Sequence, residues 1–136
     1  MLNYFYIFFG KVMIMKQVIE YIQKNYDPLC LILYGSYADG TNRLNSDFDA
    51  LVITADHEPF HDTSLVAGIP LDVFVYPAGY FEGAYACEDF VQIFDGRMIM
   101  DRHDIGKSLL ANVRAYLQNR PGKTSAEIQA NIDWCV

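Results

Sequence analysis

Basic side chains are scarce in this sequence: 10 lysines and arginines stand against 17 aspartates and glutamates in 136 residues, a net charge of −7. The deficit lies in residues 1–95, with four basic and thirteen acidic side chains, while residues 96–136 hold six and four. Phosphate neutralisation supplies most of the affinity for a nucleic-acid polymer, so the lack of a basic stripe argues against one as partner. Cysteine is nearly as sparse. Cys30, Cys87 and Cys135 are far apart, odd in number and without metal-type pairs, which argues against a disulfide framework or a zinc site and for incidental thiols in a reducing cytoplasm. His57 and His61 sit four apart in a polar segment where two ligands would lack partners, and all three histidines, His103 included, read as solvated loop residues. No apolar run is long enough to span a bilayer: Met1 to Gly10, MLNYFYIFFG, is too short and lacks the basic start and cleavage site of a signal peptide. No repeat or low-complexity segment is present.

What remains is a chain that is 52% hydrophobic, enough for one ordinary core and one domain. Its organising stretch is Leu31 to Thr54, LILYGSYADGTNRLNSDFDALVIT. Leu29 and Leu31 to Tyr34 form an apolar block between Asp27-Pro28 and Gly35, too short for a core helix and therefore a buried strand. Gly35 lets the backbone turn and approach a ligand, and Ser36 offers a hydroxyl and an N–H where a short helix can begin. The pair makes a phosphate-sized anion site. Asp47 and Asp49 then open an apolar strand, Ala50 to Ile53. Spaced by two, both carboxylates leave the same face while Phe48 points to the core. Two adjacent like charges are unfavourable without a cation. A third acid, Asp72, interrupts Ile69 to Tyr76, which reads as a strand buried on both faces; if that strand neighbours the first, Asp72 lies beside the pair.

Aspartates at strand positions downstream of a Gly-Ser anion site meet the needs of metal-dependent phosphoryl or nucleotidyl transfer: hard oxygen ligands for magnesium and N–H donors for phosphates. The order of strand, Gly35-Ser36, a ten-residue spacer, Asp47-Phe48-Asp49 and Asp72 resembles the nucleotidyltransferase superfamily of DNA polymerase β type. Ala38, Gly40, Thr41 and Ser46 are similar to its small bacterial, minimal members. Where those often carry a basic spacer residue this chain has Asp39, leaving Arg43 as the only cation there. The resemblance covers about residues 15–101. It implies an α+β fold, a small mixed β-sheet of about four strands with flanking helices. It implies a magnesium-dependent enzyme moving a nucleoside monophosphate from a triphosphate to a small-molecule or protein hydroxyl, with release of pyrophosphate. Asp47, Asp49 and Asp72 would hold two magnesium ions, Asp72 would help deprotonate the acceptor, and Gly35, Ser36 and Arg43 would meet the triphosphate. Minimal members often work beside a small helical partner in toxin–antitoxin pairs, so an antitoxin role is one alternative and a nucleotide-binding protein without catalysis another.

Around this centre, residues 1–14 read as an apolar extension, and Met15, Val18, Ile19, Ile22 and Tyr26 mark an amphipathic helix ending at Asn25 to Pro28. Ala55 to Val66 reads as a loop and Pro77 as the stop of the third strand. Ala78 to Gly83 and Tyr85 to Phe94 look like short helical pieces, and Arg97 to Asp101 an edge strand. A helix capped by Asp104 follows, with Lys107 and Arg114 on its solvated side. The domain spans 15–122. Thr124-Ser-Ala-Glu127 matches a capping box, and residues 123–136 begin a helical segment whose apolar stripe, Ile128, Ile132, Cys135 and Val136, is cut off in mid-pattern and calls for more chain or a partner surface.

Overall fold

The apolar block after Pro28 forms β1 (Cys30–Tyr34), buried along its whole length because the sheet it belongs to is covered on both faces. The computed structural model describes residues 2–43 and 45–119. In chain order α1 (Leu2–Tyr26) precedes β1, and α2 (Ser36–Asp39), β2 (Phe48–Thr54), β3 (Phe60–Asp62), β4 (Leu65–Val66) and β5 (Ile69–Pro77) follow. Two 3-10 segments, Ala78–Phe81 and Cys87–Ile93, then lead to β6 (Arg97–Asp101) and α3 (Ile105–Gln118). The strands lie in the order β3-β5-β2-β1-β6, with β4 pairing β5. β2 and β5 run parallel, and the other pairs are antiparallel. This is the mixed α+β sheet the resemblance implied.

Among the described residues the sheet has six strands where about four were expected. The two extra ones, β3 and β4, come from the segment read as a loop. They are three and two residues long and expose Phe60 and Leu65, so no alternating apolar pattern announces them; backbone pairing to β5 makes them strands. β5 itself is not buried on both faces. Ile69, Leu71, Val73 and Val75 are buried, while Asp72, Phe74 and Tyr76 on the other face are only half-buried. That alternation is what opens a cavity above the sheet.

One face of the sheet packs Leu31, Leu33, Phe48 and Val52 against Val18 and Ile22 of α1. The opposite face packs Ile32, Leu51 and Ile53 against Phe90, Ile93 and α3 residues Leu109 and Val113. Each such fully buried aliphatic or aromatic side chain contributes about 1.5–3 kcal/mol. The expected stripe of α1 lies in the first cluster, but the helix begins at Leu2 rather than near Met15. At the start of α3, Asp104 makes no side-chain cap. The carboxylate of Asp101 takes that role, accepting from the amides of Gly106 and Lys107 at 2.8 and 2.9 Å. Arg114 is not merely solvated, since its Nε donates to the Phe94 carbonyl at 2.9 Å. Cys30 is buried and Cys87 half-buried, both free thiols. Among the described residues no helix is long and apolar enough to cross a membrane. The helix expected from Thr124, Cys135 with it, lies outside the described residues.

One buried charge ties α1 to the sheet edge. Asp62, 2% exposed, accepts from Tyr26 Oη at 2.6 Å, Tyr21 Oη at 2.9 Å and the Ser64 amide at 2.9 Å. Burial works against the carboxylate, but the hydrogen bonds from Tyr26, Ser64 and Tyr21 outweigh it and hold its pKa below the ordinary value. Removing one donor leaves a buried ion less well satisfied. Tyr26→Phe should therefore cost about 1–3 kcal/mol, read as a lowered denaturation midpoint; an unchanged midpoint would mean that this contact is idle.

Candidate active site

β1, β2 and β5 lie side by side, and their register sets one rung of side chains across the sheet: Tyr34 pairs with Asp49, and Asp49 with Asp72. By strand alternation all three leave the face away from α1. Asp49 and Asp72 are close enough for their carboxyls to share a hydrogen bond, and burial, that bond and the charges of Asp72 and Asp47 push Asp49 up to about 7. Burial and the charges of Asp72 and Asp49 also raise the Tyr34 hydroxyl. The pair can be neutralised in two ways, by a shared proton or by a cation.

This coupling has a pH signature in the metal-free protein. Asp49 titrates near 7 in the folded chain against about 3.9 in the unfolded one, so between those values the folded state holds a proton that the unfolded state has released. The stabilisation is complete below the unfolded pKa and is lost as pH rises through the folded one. The melting temperature of the parent relative to Asp49→Asn should fall from about pH 4 to about pH 8. A difference that stays constant over that range would remove the coupling.

Gly35 follows β1 directly with φ 72° and ψ −156°, a backbone region essentially closed to residues with a Cβ. A Cβ there would also fall against Asp49 Oδ2 and 3.2 Å from its Cγ. The glycine is thus required both by the turn and by the carboxylate beside it. Its carbonyl accepts from the amides of Ala38 and Asp39 at 3.1 and 3.3 Å, which closes α2 with Ser36 at its start.

Above the rung lies a cavity of about 740 Å³, the size of a ligand pocket. Tyr34, Gly35, Asp49 and Asp72 line it together with an aromatic wall of Phe74, Tyr76, Phe90 and Phe94. Asp39, Asp89 and Asp95 add further acids, and no lysine or arginine among the described residues lines it.

Of the residues singled out from sequence, Gly35, Asp49 and Asp72 meet here. Ser36 is adjacent but not in the lining. Asp47, one residue ahead of β2, is exposed and acts on Asp49 as a like charge. Arg43 borders a different cavity, of about 230 Å³, with Lys11, Tyr37 and Asn42; its backbone amide donates to Ser46 Oγ at 2.7 Å. Asp39 turns inward on its own loop, accepting from the Thr41 amide at 2.9 Å and from its hydroxyl at 2.5 Å. Sequence reading missed His61, which is a strand residue of β3 rather than a solvated loop residue, with Nε2 at 2.5 Å from Asp72 Oδ1.

Among the described residues no three His, Cys, Asp or Glu side chains converge as a metal cage. Magnesium needs none: it is commonly held by one or two carboxylates, with waters and substrate phosphates completing its six oxygens. Two hard-oxygen carboxylates that repel unless neutralised, Asp49 and Asp72, fit that demand.

Residues 16–69 match the family model described as Polymerase beta, Nucleotidyltransferase. No curated protein matches the chain. Among solved structures, a toxin–antitoxin complex with AMP-PNP is 20% identical with a TM-score of 0.50, covering 87% of this chain and 94% of that one. Two substituted forms of the toxin–antitoxin MntA-HpeT are 20% and 18% identical, with TM-scores of 0.52 and 0.51, over 88% and 87% of this chain and 94% of each of theirs. The matched segment runs from α1 through Gly35 and Asp49 to the first residue of β5, so this stretch of the chain is similar to the nucleotidyltransferase family of DNA polymerase β, and the mixed fold around it is similar to that of those solved structures.

Proposed function

We propose that this protein transfers a nucleoside monophosphate from a nucleoside triphosphate to a hydroxyl of a small molecule or a protein and releases pyrophosphate. The observation that carries the reading is the register of β2 on β5, with Asp49 opposite Asp72 beside Gly35 in the wall of one cavity. The acceptor oxygen attacks the α-phosphorus in line with the leaving group. A new P–O bond forms as the bond to pyrophosphate breaks, and the acceptor proton passes to the Asp72 carboxylate. Asp49 and Asp72, with Asp47 as a further carboxylate, would hold magnesium, two ions in this scheme, and the metal would supply positive charge to offset the charge developing in the transfer. Gly35 leaves room for the phosphates, and Ser36 offers its hydroxyl and N–H to them. Tyr76 and Phe94, half-buried in the lining, offer flat faces on which a base can stack. Arg43, bordering the other cavity, has no part in this scheme. The acidic lining supports a small or protein acceptor over a nucleic-acid polymer.

A protein partner is favoured by the solved structures of the same fold, which are toxin–antitoxin complexes. Incubation of the four triphosphates and magnesium with a panel of aminoglycosides, alcohols and proteins should give pyrophosphate release with one class of acceptor. Co-purification with a small helical protein that accepts the nucleotide would assign the protein class. Tight triphosphate binding without release on any acceptor would leave only a nucleotide-binding role.

A further inference from the structure

His61 faces the same cavity and has no part in the scheme above. Its Nε2 lies 2.5 Å from Asp72 Oδ1, and its ring stacks on Phe74 with centroids 4.1 Å apart and planes 4° from parallel. The placement follows from β3, where His61 pairs with Phe74 of β5 and so stands diagonally across from Asp72. A three-residue edge strand has little to hold it. Here the next residue, Asp62, points to the opposite face and is fastened to α1 by Tyr21 and Tyr26. Beyond it, the Ser64 carbonyl accepts from the Leu71 amide at 2.9 Å. The strand is therefore pinned on one face and presents the imidazole on the other.

We propose that His61 is a positioning residue for Asp72, donating Nε2–H to Oδ1 and so fixing the carboxylate while Oδ2 stays available to a cation. The proposal rests on the nucleotidyl-transfer reading. An aspartate side chain has two rotatable bonds, and an unheld carboxylate must be ordered each time it takes a metal. Partners that orient a ligand in this way are commonly worth about 10–100-fold in metal affinity.

Two substitutions separate the hydrogen bond from the packing. His61→Phe keeps a flat ring to stack on Phe74 and loses the donor; His61→Gln loses the ring and keeps a donor near the position of Nε2. Magnesium is titrated calorimetrically into each protein with a non-hydrolysable triphosphate, and melting is followed without magnesium. His61→Phe should weaken magnesium binding by about tenfold, no more than Asp72→Asn itself, while His61→Gln stays within about threefold of the parent, and both should melt close to it. Should His61→Phe melt early, His61→Asn, whose donor is one bond shorter, serves in its place with the same expectation. Magnesium binding by His61→Phe equal to the parent's, or equal losses in the Phe and Gln variants, would overturn the proposal. Asp49→Asn is the control. If it binds as well as the parent, or if the parent itself binds nothing, the transferase reading falls and this one with it; if it loses binding while His61→Phe does not, only the role of His61 falls.

Discussion

Gly35→Val is expected to abolish magnesium–triphosphate binding and to lower stability, whereas Ser36→Ala next to it should do little of either. The asymmetry comes from the backbone. At φ 72° and ψ −156° a residue with a Cβ costs about 1–3 kcal/mol, and a β-branched one at the upper end. The second component is steric: the new Cβ would displace the Asp49 carboxylate, whose Cγ stands 3.2 Å from its position. Ser36 lies outside the cavity lining and loses only a hydroxyl while keeping its N–H. The two components can be separated with the smaller Gly35→Ala. In an Asp49→Ala background the carboxylate is gone and only the Asp49 Cβ remains, 3.4 Å from the added atom, an ordinary contact. Gly35→Ala should then cost the backbone term alone, so the double variant should be more stable than the sum of the single ones. Strict additivity would mean that Gly35 and Asp49 do not touch as described. Equal small losses of triphosphate affinity for Gly35→Val and Ser36→Ala would dismiss the glycine turn as part of the site.

The parts of this architecture that were legible in the sequence are those whose signal is local. β1, β2 and β5 are continuous apolar runs with sharp boundaries, and Gly35 sits where a strand has to turn. The parts that were not legible depend on partners distant in sequence. β3 is a strand because β5 offers it hydrogen bonds, and nothing in Phe60, His61 and Asp62 marks alternation. His61 gained its meaning from Asp72, eleven residues away. Asp62 looked like an ordinary loop acid, and two tyrosines from α1 make it a buried anchor. Asp101 displaced Asp104 as the cap of α3 for a related reason: Asp104 has φ 58°, a conformation that a local sequence pattern does not reveal. The apolar character of β5 hid its alternation, because aromatic residues can line a cavity as readily as fill a core. The spacing of Asp47 and Asp49 suggested a pair with Asp72 beside it, and sheet register sets Asp72 directly opposite Asp49. Arg43 was singled out as the lone cation of its loop, and loop composition does not say which way a side chain departs.

Asp72 is the position where holding a cation and accepting a proton can be told apart. A group that takes the acceptor proton matters most as charge develops on the attacking oxygen, and less in the ground state. Asp72→Asn preserves size and one acceptor oxygen and removes the charge and the basic lone pair. It also relieves Asp49, since Asp72 is both its hydrogen-bond partner and the like charge that raises it most, so the remaining carboxylate should ionise more readily and keep a hold on magnesium. Triphosphate and magnesium should then bind within about tenfold of the parent, while transfer falls by about 100-fold to 10,000-fold, the range of a general base. Asp49→Asn is expected to do the reverse in order of severity, losing binding first, because its carboxyl stands between Gly35 and Asp72. Calorimetry with a non-hydrolysable triphosphate reports the first quantity and single-turnover pyrophosphate release the second. If Asp72→Asn lost binding and turnover in parallel, Asp72 would be chiefly a metal ligand and the proton would need another acceptor; if it lost neither, the rung of Asp49 and Asp72 would not be the reaction centre.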